Sequence, residues 1–346
     1  MSDALTNHQV RLAARPVGLP TRDNWRFTTE PVPELADGDV LVQTMALSLD
    51  PAMRGWMNEG KSYIPPVALG EVMRAGGVGR VVASRNPAFA VGDDVYAGLG
   101  VQTYCLIPAA GLKASGIARI DLSVGSATQW LNVLGMPGMT GYFGLMDIGQ
   151  PKAGETVVVS GAAGAVGQTV GQLAKIHGCR VVGIAGTGEK CRAVVDDFGF
   201  DACVNYRAPD FKSQLAAALP GGCDIYFDNV GGNVSLAVSP HYNDFARVAI
   251  CGLISQYSGQ QPHEPTAFDE FLRLILTRRL TVRGFIIYDI APNYPEFQTE
   301  MAKWLQSGRI VHRDHVHRGF DRIVPAFLGM LAGENTGKTI VDLRGE

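Results

Sequence analysis

The chain has no closely spaced pair of cysteines. Its six, Cys105, Cys179, Cys191, Cys203, Cys223 and Cys251, never lie two or three residues apart, which excludes the paired-cysteine zinc site. Single, scattered thiols in a long chain point to reduced, partly buried side chains and a cytoplasmic protein. Neither charge sign is in excess: 30 Lys and Arg face 33 Asp and Glu, a net of −3. Such a balance lacks the field that draws nucleic acid or an anionic membrane and leaves a small molecule as the expected partner. The longest apolar run, near Val248–Ile254, is far short of the ~20 residues a membrane helix needs. The first twenty residues carry Asp3, Arg11 and Arg15 and hold no apolar stretch of signal-peptide length. Internal repeats and low-complexity linkers are also missing.

Glycine, by contrast, is abundant, 42 of 346 residues, against a usual share of about 7%. That excess fits many tight turns and close backbone approaches. The length favours two domains over one, and the texture changes along the chain. Residues 1–125 hold short alternating runs such as Val40–Met45, Gly77–Val82 and Asp94–Tyr96, broken by turn residues, the pattern of a β-rich unit. From about 126 to 309, apolar strands (Thr156–Ser160, Arg180–Ala185, Ala202–Asn205, Asp224–Asp228, Arg247–Cys251, Thr281–Phe285) alternate with helix-length segments. Continuous apolar strands separated by helices predict a parallel sheet covered on both faces. Residues 310–346 return to mixed strand and helix, as a tail folding back on the first domain.

The strongest motif is Val157-Val158-Val159-Ser160-Gly161-Ala162-Ala163-Gly164-Ala165-Val166-Gly167. A strand enters a turn with glycines at 161, 164 and 167 and leaves into a helix. In a dinucleotide turn, glycines permit the bend, let the backbone approach the pyrophosphate and allow close helix–strand packing. The helix N-terminus then presents free N–H groups to the anion. The spacing G-x-x-G-x-x-G differs from the strict G-x-G-x-x-G; the strand–turn–helix context carries the assignment. The next strand ends Gly183-Ile184-Ala185-Gly186-Thr187-Gly188, with no carboxylate before Glu189. An NAD site places an acid there for the ribose 2′-hydroxyl. Its absence removes repulsion against a 2′-phosphate, and Lys190 either pairs with that phosphate or sits on a solvated helix face.

Five further stretches, Ser48-Leu49-Asp50-Pro51-Ala52-Met53-Arg54, Leu134–Gly144, Asn229-Val230-Gly231-Gly232, Cys251–Tyr257 and Glu334-Asn335-Thr336-Gly337-Lys338, complete the pattern in order. Together they resemble the zinc-independent medium-chain dehydrogenases/reductases, closest to the prostaglandin, alkenal double-bond and curcumin reductases. The resemblance implies an α/β fold, with a GroES-like β-rich domain (1–125 and 310–346) and a doubly wound Rossmann domain (126–309) flanking a cleft. It implies NADPH held by Gly161, Ala162, Ala163, Gly164, Ala165, Val166, Gly167, Gly186, Asn229, Cys251 and Tyr257. Lys190 and Tyr206 would contact the 2′-phosphate, and Asn335 would lie near the nicotinamide. A homodimer is implied too. Ala52 departs from the tyrosine common in the family. Zinc alcohol dehydrogenases need a catalytic cysteine, a Gly-His-Glu site and a four-cysteine lobe; here Asp50 stands in the region of that cysteine, and the other two features are missing.

The chemistry this implies is conjugate reduction of a small α,β-unsaturated carbonyl compound. Charge develops on the carbonyl oxygen, which a hydrogen-bond donor stabilises by roughly 3 kcal/mol, and a proton must reach the α-carbon. Tyr257, after a strand of the parallel sheet, is the first choice of donor, and Tyr63, in Ser62-Tyr63-Ile64-Pro65-Pro66, the second; either can instead simply line the pocket. A quinone reductase of the same fold and a non-catalytic NADPH-binding protein are the alternatives. Gly333–Thr339 imitates a phosphate loop but has three residues between its glycines where four are needed. His315 and His317, near His312 and Asp314, share a strand face and read as a solvated edge.

Overall fold

The structure, a computed structural model, describes residues 5–60, 62–259, 266–289 and 294–344. It divides into two compact units, Met1–Leu131 with Asp314–Glu346, and Asn132–Arg313. All six cysteines are free thiols.

The first unit is β-rich. Its strands are β1 (Thr6–Leu12), β2 (Trp25–Pro31), β3 (Val40–Ser48), β4 (Gly77–Ser84), β5 (Asp94–Ala97), β6 (Tyr104–Ile107) and β7 (Ala118–Arg119), joined by β14 (Asp314–Arg318) and β15 (Lys338–Asp342) from the chain end. β1 and β2 form an antiparallel pair. The others build a seven-stranded sheet in the order β14-β15-β3-β4-β5-β7, with β6 also on β3. The C-terminal strand lies antiparallel to β3, Val341 opposite Leu47, so the tail completes the sheet. Val42, Leu47, Val95, Leu99 and Val341 are fully buried in its core.

The second unit holds the parallel sheet: β8 (Thr156–Ser160), β9 (Arg180–Ala185), β10 (Ala202–Asn205), β11 (Cys223–Asp228), β12 (Tyr242–Ile250) and β13 (Thr281–Gly284). The order is β10-β9-β8-β11-β12-β13, every pair parallel. Chain order therefore reverses between β8 and β11, the switch point where doubly wound sheets bind ligands at their carboxyl ends. All five residues of β8 are buried, as expected for a central strand covered on both faces. The helix Ala165–Ile176 is buried on all sides from Gly167 to Ala174, Val170, Leu173 and Ala174 among them. It packs on the helix Met136–Phe143, which the Leu134–Gly144 motif forms.

β12 begins five residues earlier than its apolar run predicts, at Tyr242. The extra length contains Phe245 at φ +62, and the pairing with β11 shifts register between Cys223 and Ile225. An irregular, partly exposed start breaks the apolar pattern that marks a buried strand. No helix among the described residues is long and apolar enough to cross a membrane.

Candidate active site

The second unit gathers most of the sequence candidates at the carboxyl edge of its sheet. β8 ends at Ser160, and Gly161 takes the left-handed conformation, φ +62, that a side chain resists. The carbonyl of Gly161 accepts from Gly164 N at 2.9 Å, closing the turn, and Ala162 N donates to Ile184 O of β9 at 3.1 Å. Gly164 caps the helix. A Cβ on Gly167 would run into the Gly161 carbonyl oxygen and lie 2.8 Å from Ala162 Cα, so only glycine lets the helix start this close to the strand. The first-turn N–H groups of Ala165, Val166 and Gly167 have no intrahelical acceptors, the arrangement with which helix N-termini bind anions.

One strand outward, the helix Gly188–Asp196 is capped by Thr187, whose hydroxyl accepts from Lys190 N at 3.2 Å. Tyr206 follows β10; its N–H donates to Ala185 O at 3.0 Å. Its ring lies beside Gly186, where a Cβ would be 3.1 Å from ring carbon Cε1. Gly186, Lys190 and Tyr206 therefore form one corner. A fourth member was not foreseen. Arg207 donates from Nε to the Tyr206 hydroxyl at 3.3 Å. Burial, and then the Arg207 charge, push the Lys190 ammonium below the ordinary lysine value. Two cations that repel each other, with no acid at the end of β9, suit an added phosphate.

At the switch point, Asp228 is 1% exposed and organises the edge. Its Oδ1 accepts from Ser160 Oγ, the Tyr226 hydroxyl, Val230 N and Gly231 N, each at 2.9 Å, and Oδ2 accepts from Ser235 Oγ. Asn229 spans to β8, donating from N to Ser160 Oγ at 2.9 Å and from Nδ2 to Ser160 O at 2.8 Å. The Asp228 carbonyl accepts from Cys251 N and Gly252 N at 2.9 and 3.0 Å, which joins the end of β12 to the same edge. Burial and then the Asp228 charge push the Cys251 thiol up to about 12, so it stays neutral and forms a wall, not a nucleophile. Tyr257 closes the segment: its hydroxyl accepts from Leu253 N at 3.2 Å and would be 3.2 Å from a Cβ on Gly252. Sequence alone did not single out Ser160 and Asp228 as organisers. The signal was a polar residue closing the apolar centre of each of two neighbouring strands, Val157–Val159 and Ile225–Phe227.

Tyr63 and Asn335 belong to the other unit. Tyr63 is 51% exposed and accepts from Trp56 Nε1 at 3.1 Å; Arg74 lies over that indole, 5.3 Å from the ring centroid. Asn335 sits half-buried before β15, its Nδ2 donating to Gly337 O at 2.9 Å. Sequence reading also passed over Lys338 beside it. Its ammonium is 2% exposed and donates to Leu49 O at 2.6 Å and Asp50 Oδ1 at 2.7 Å; Ser48 Oγ donates to the other Asp50 oxygen at 2.6 Å. This buried pair ties the Asn335 loop to the loop after β3, just before Ala52, which opens the short helix Ala52–Trp56. His315 and His317 stack on edge strand β14, centroids 4.7 Å apart. No group of three metal-ligating side chains gathers among the described residues.

Two family models match: the N-terminal domain of oxidoreductase over residues 8–115, and the zinc-binding dehydrogenase over residues 165–307. The NADPH-dependent curcumin reductase of Escherichia coli (strain K12) is 43% identical over 342 residues, covering 98% of each chain. Prostaglandin reductase 1 of Rattus norvegicus is 40% identical over 329 residues, 94% of this chain and 95% of that protein. The crystal structure of CurA from Vibrio vulnificus in complex with NADPH matches with a TM-score of 0.92 and 44% identity, over 98% of this chain and all of that one. With relatives this similar along nearly its whole length, the chain belongs to the zinc-independent medium-chain dehydrogenase/reductase family of oxidoreductases.

Proposed function

We propose that this protein is an NADPH-dependent reductase of the carbon–carbon double bond in small α,β-unsaturated aldehydes and ketones. One observation carries the reading: the strand-end site joins a pyrophosphate turn to a corner of Lys190, Tyr206 and Arg207 with no carboxylate at the end of β9. That corner suits an adenosine ribose bearing a 2′-phosphate. The relatives named for NADPH, curcumin and prostaglandin reduction support the choice of cofactor and of substrate class.

When bound, NADPH supplies a hydride to the β-carbon of the substrate. The chain's own work is to hold the dinucleotide and stabilise the carbonyl oxygen as it gains charge. Residues 161–167 hold the pyrophosphate, and Asn229 and Cys251 line the coenzyme. We assign Tyr257 as the donor to the carbonyl oxygen. It lies at a strand's carboxyl end, where parallel sheets place reacting groups, and its ring is anchored through Leu253 N. Tyr63 is the second candidate.

The test is a panel of enals, enones and quinones with purified protein and NADPH, followed by product analysis. The reading requires saturated carbonyl products, with the new C–H at the β-carbon carrying deuterium from labelled coenzyme. Turnover of quinones alone, or coenzyme binding without turnover of any acceptor, overturns it.

A further inference from the structure

β12 ends at Ile250, so the segment from Cys251 to Tyr257, which carries the proposed donor, lies beyond the sheet. It hangs on the turn that follows β11. Three successive carbonyls of that turn accept from it. Asp228 O takes Cys251 N and Gly252 N at 2.9 and 3.0 Å, Asn229 O takes Ile254 N at 3.5 Å, and Val230 O takes Ser255 N and Ser255 Oγ at 3.1 and 2.7 Å. The two pieces of chain lie close together. A Cβ on Gly252 would be 3.3 Å from Asn229 O and 3.2 Å from the Tyr257 hydroxyl, and one on Gly231 would be 2.7 Å from Leu253 Cδ2. Within the segment, Leu253 N holds the tyrosine hydroxyl at 3.2 Å.

In an extended strand only alternate residues bond toward a given neighbour, so three carbonyls in a row serve one segment only where the chain bends. The Asp228 side chain makes that bend. Its Oδ1 accepts from Val230 N and Gly231 N, each at 2.9 Å, the short-range pattern by which an aspartate folds its own backbone. Gly231 and Gly232, at φ +74 and +58, supply conformations that other residues resist. Ser160 Oγ of β8, the Tyr226 hydroxyl and Ser235 Oγ of the helix Gly232–Val238 donate to the same carboxylate and hold it in place. At 1% exposure, Asp228 is too deep to meet a substrate, and its influence on the reaction passes through the turn.

We propose that Asp228 is a positioning residue for the reduction: its carboxylate shapes the turn 228–231, the turn fixes residues 251–255, and these set the place of the Tyr257 hydroxyl. Ser255 is the second member of this chain of contacts, because its side chain adds a bond to Val230 O. The proposal rests on the reading of Tyr257 as donor to the substrate's carbonyl oxygen. Displacing a reacting group by about 1 Å costs roughly a hundredfold in rate. A buried acid that never touches the substrate can therefore govern turnover.

The experiment is a pair of double-mutant cycles in the full-length protein. Asp228→Ala, Ser255→Ala and Tyr257→Phe are made singly, and the first two are each combined with the third. Turnover of an enone is measured at saturating NADPH, and near-UV circular dichroism checks the fold. Asp228→Ala should lower kcat by roughly a hundredfold and Ser255→Ala by about fivefold. In the Tyr257→Phe background each should cost less than about twofold, because the hydroxyl they position is gone. A merely structural role would instead lower kcat by the same factor in both backgrounds. Losses that multiply in the double variants, or wild-type kcat in Asp228→Ala, overturn the positioning role and leave the reading of Tyr257 standing. Undiminished kcat in Tyr257→Phe overturns that reading and the proposal with it. If Asp228→Ala does not fold, the Ser255→Ala cycle decides by the same criterion.

Discussion

Tyr257 and the Lys190 corner carry the sharpest consequences at the scale of single residues. Tyr257→Phe removes one hydroxyl donor and keeps the ring. Loss of one well-placed donor corresponds to about 3 kcal/mol, or roughly a hundredfold in kcat, with KM for NADPH little changed; steady-state kinetics with an enone reads both. Lys190→Ala should cut the NADPH-over-NADH preference by roughly ten- to a hundredfold, the range of a charge-assisted hydrogen bond. Arg207→Ala should cut it by less than about fivefold, since that guanidinium is exposed. The pH dependence has a definite sign. Burial and Arg207 lower the Lys190 value, so the ammonium loses its proton before an ordinary lysine does. NADPH affinity should therefore fall as pH rises through a window below 10.5, and Lys190→Arg should flatten that fall. Lys190 and the missing acid at the end of β9 were legible in the chain because both are local. Arg207 was not, because its approach to Lys190 depends on β10 lying beside β9.

Among the elements, the nucleotide turn is the most tightly determined. Gly167→Ala places a methyl against the Gly161 carbonyl. Overpacking of that kind costs about 1–3 kcal/mol and pushes the helix N-terminus off the anion position. Thermal unfolding should register the first effect and NADPH titration the second, and normal coenzyme affinity would speak against the turn's role. Edge strand β14 makes a different prediction. His317 is held below its usual value, first by burial, then by the charges of His315 and Arg322. The unfolded chain therefore binds the proton more readily, and stability should drop as pH falls through about 6.5. His317→Gln should reduce that slope in denaturant titrations run from neutral to acid pH. The turn could be read from its glycine spacing together with its strand and helix. That His315 and His317 share a face followed from strand alternation, whereas the early start of β12 did not, since exposed residues and a positive φ leave no apolar period.

For the whole molecule, the Lys338–Asp50 pair ties together residues from opposite ends of the chain. Lys338→Met would strand a buried carboxylate, and breaking such a pair costs about 3–5 kcal/mol. Adding Asp50→Leu should restore most of the lost stability in chemical denaturation, because well-packed apolar residues often replace a buried ion pair without loss. If the single variant unfolds at the wild-type denaturant concentration, the pair has no structural weight. The chain alone determined the class of each unit, the glycine turn after β8 and the absence of an acid at the end of β9. These rest on period, glycine spacing and residue identity, all properties of neighbouring residues. Only the tertiary structure decided that Asp228 gathers the ends of three strands, that Arg207 crowds Lys190, and that Lys338 is buried against Asp50. Each of these joins groups that are distant in the chain or carried on separate elements, and their meeting is set by strand order and packing, which no local pattern encodes.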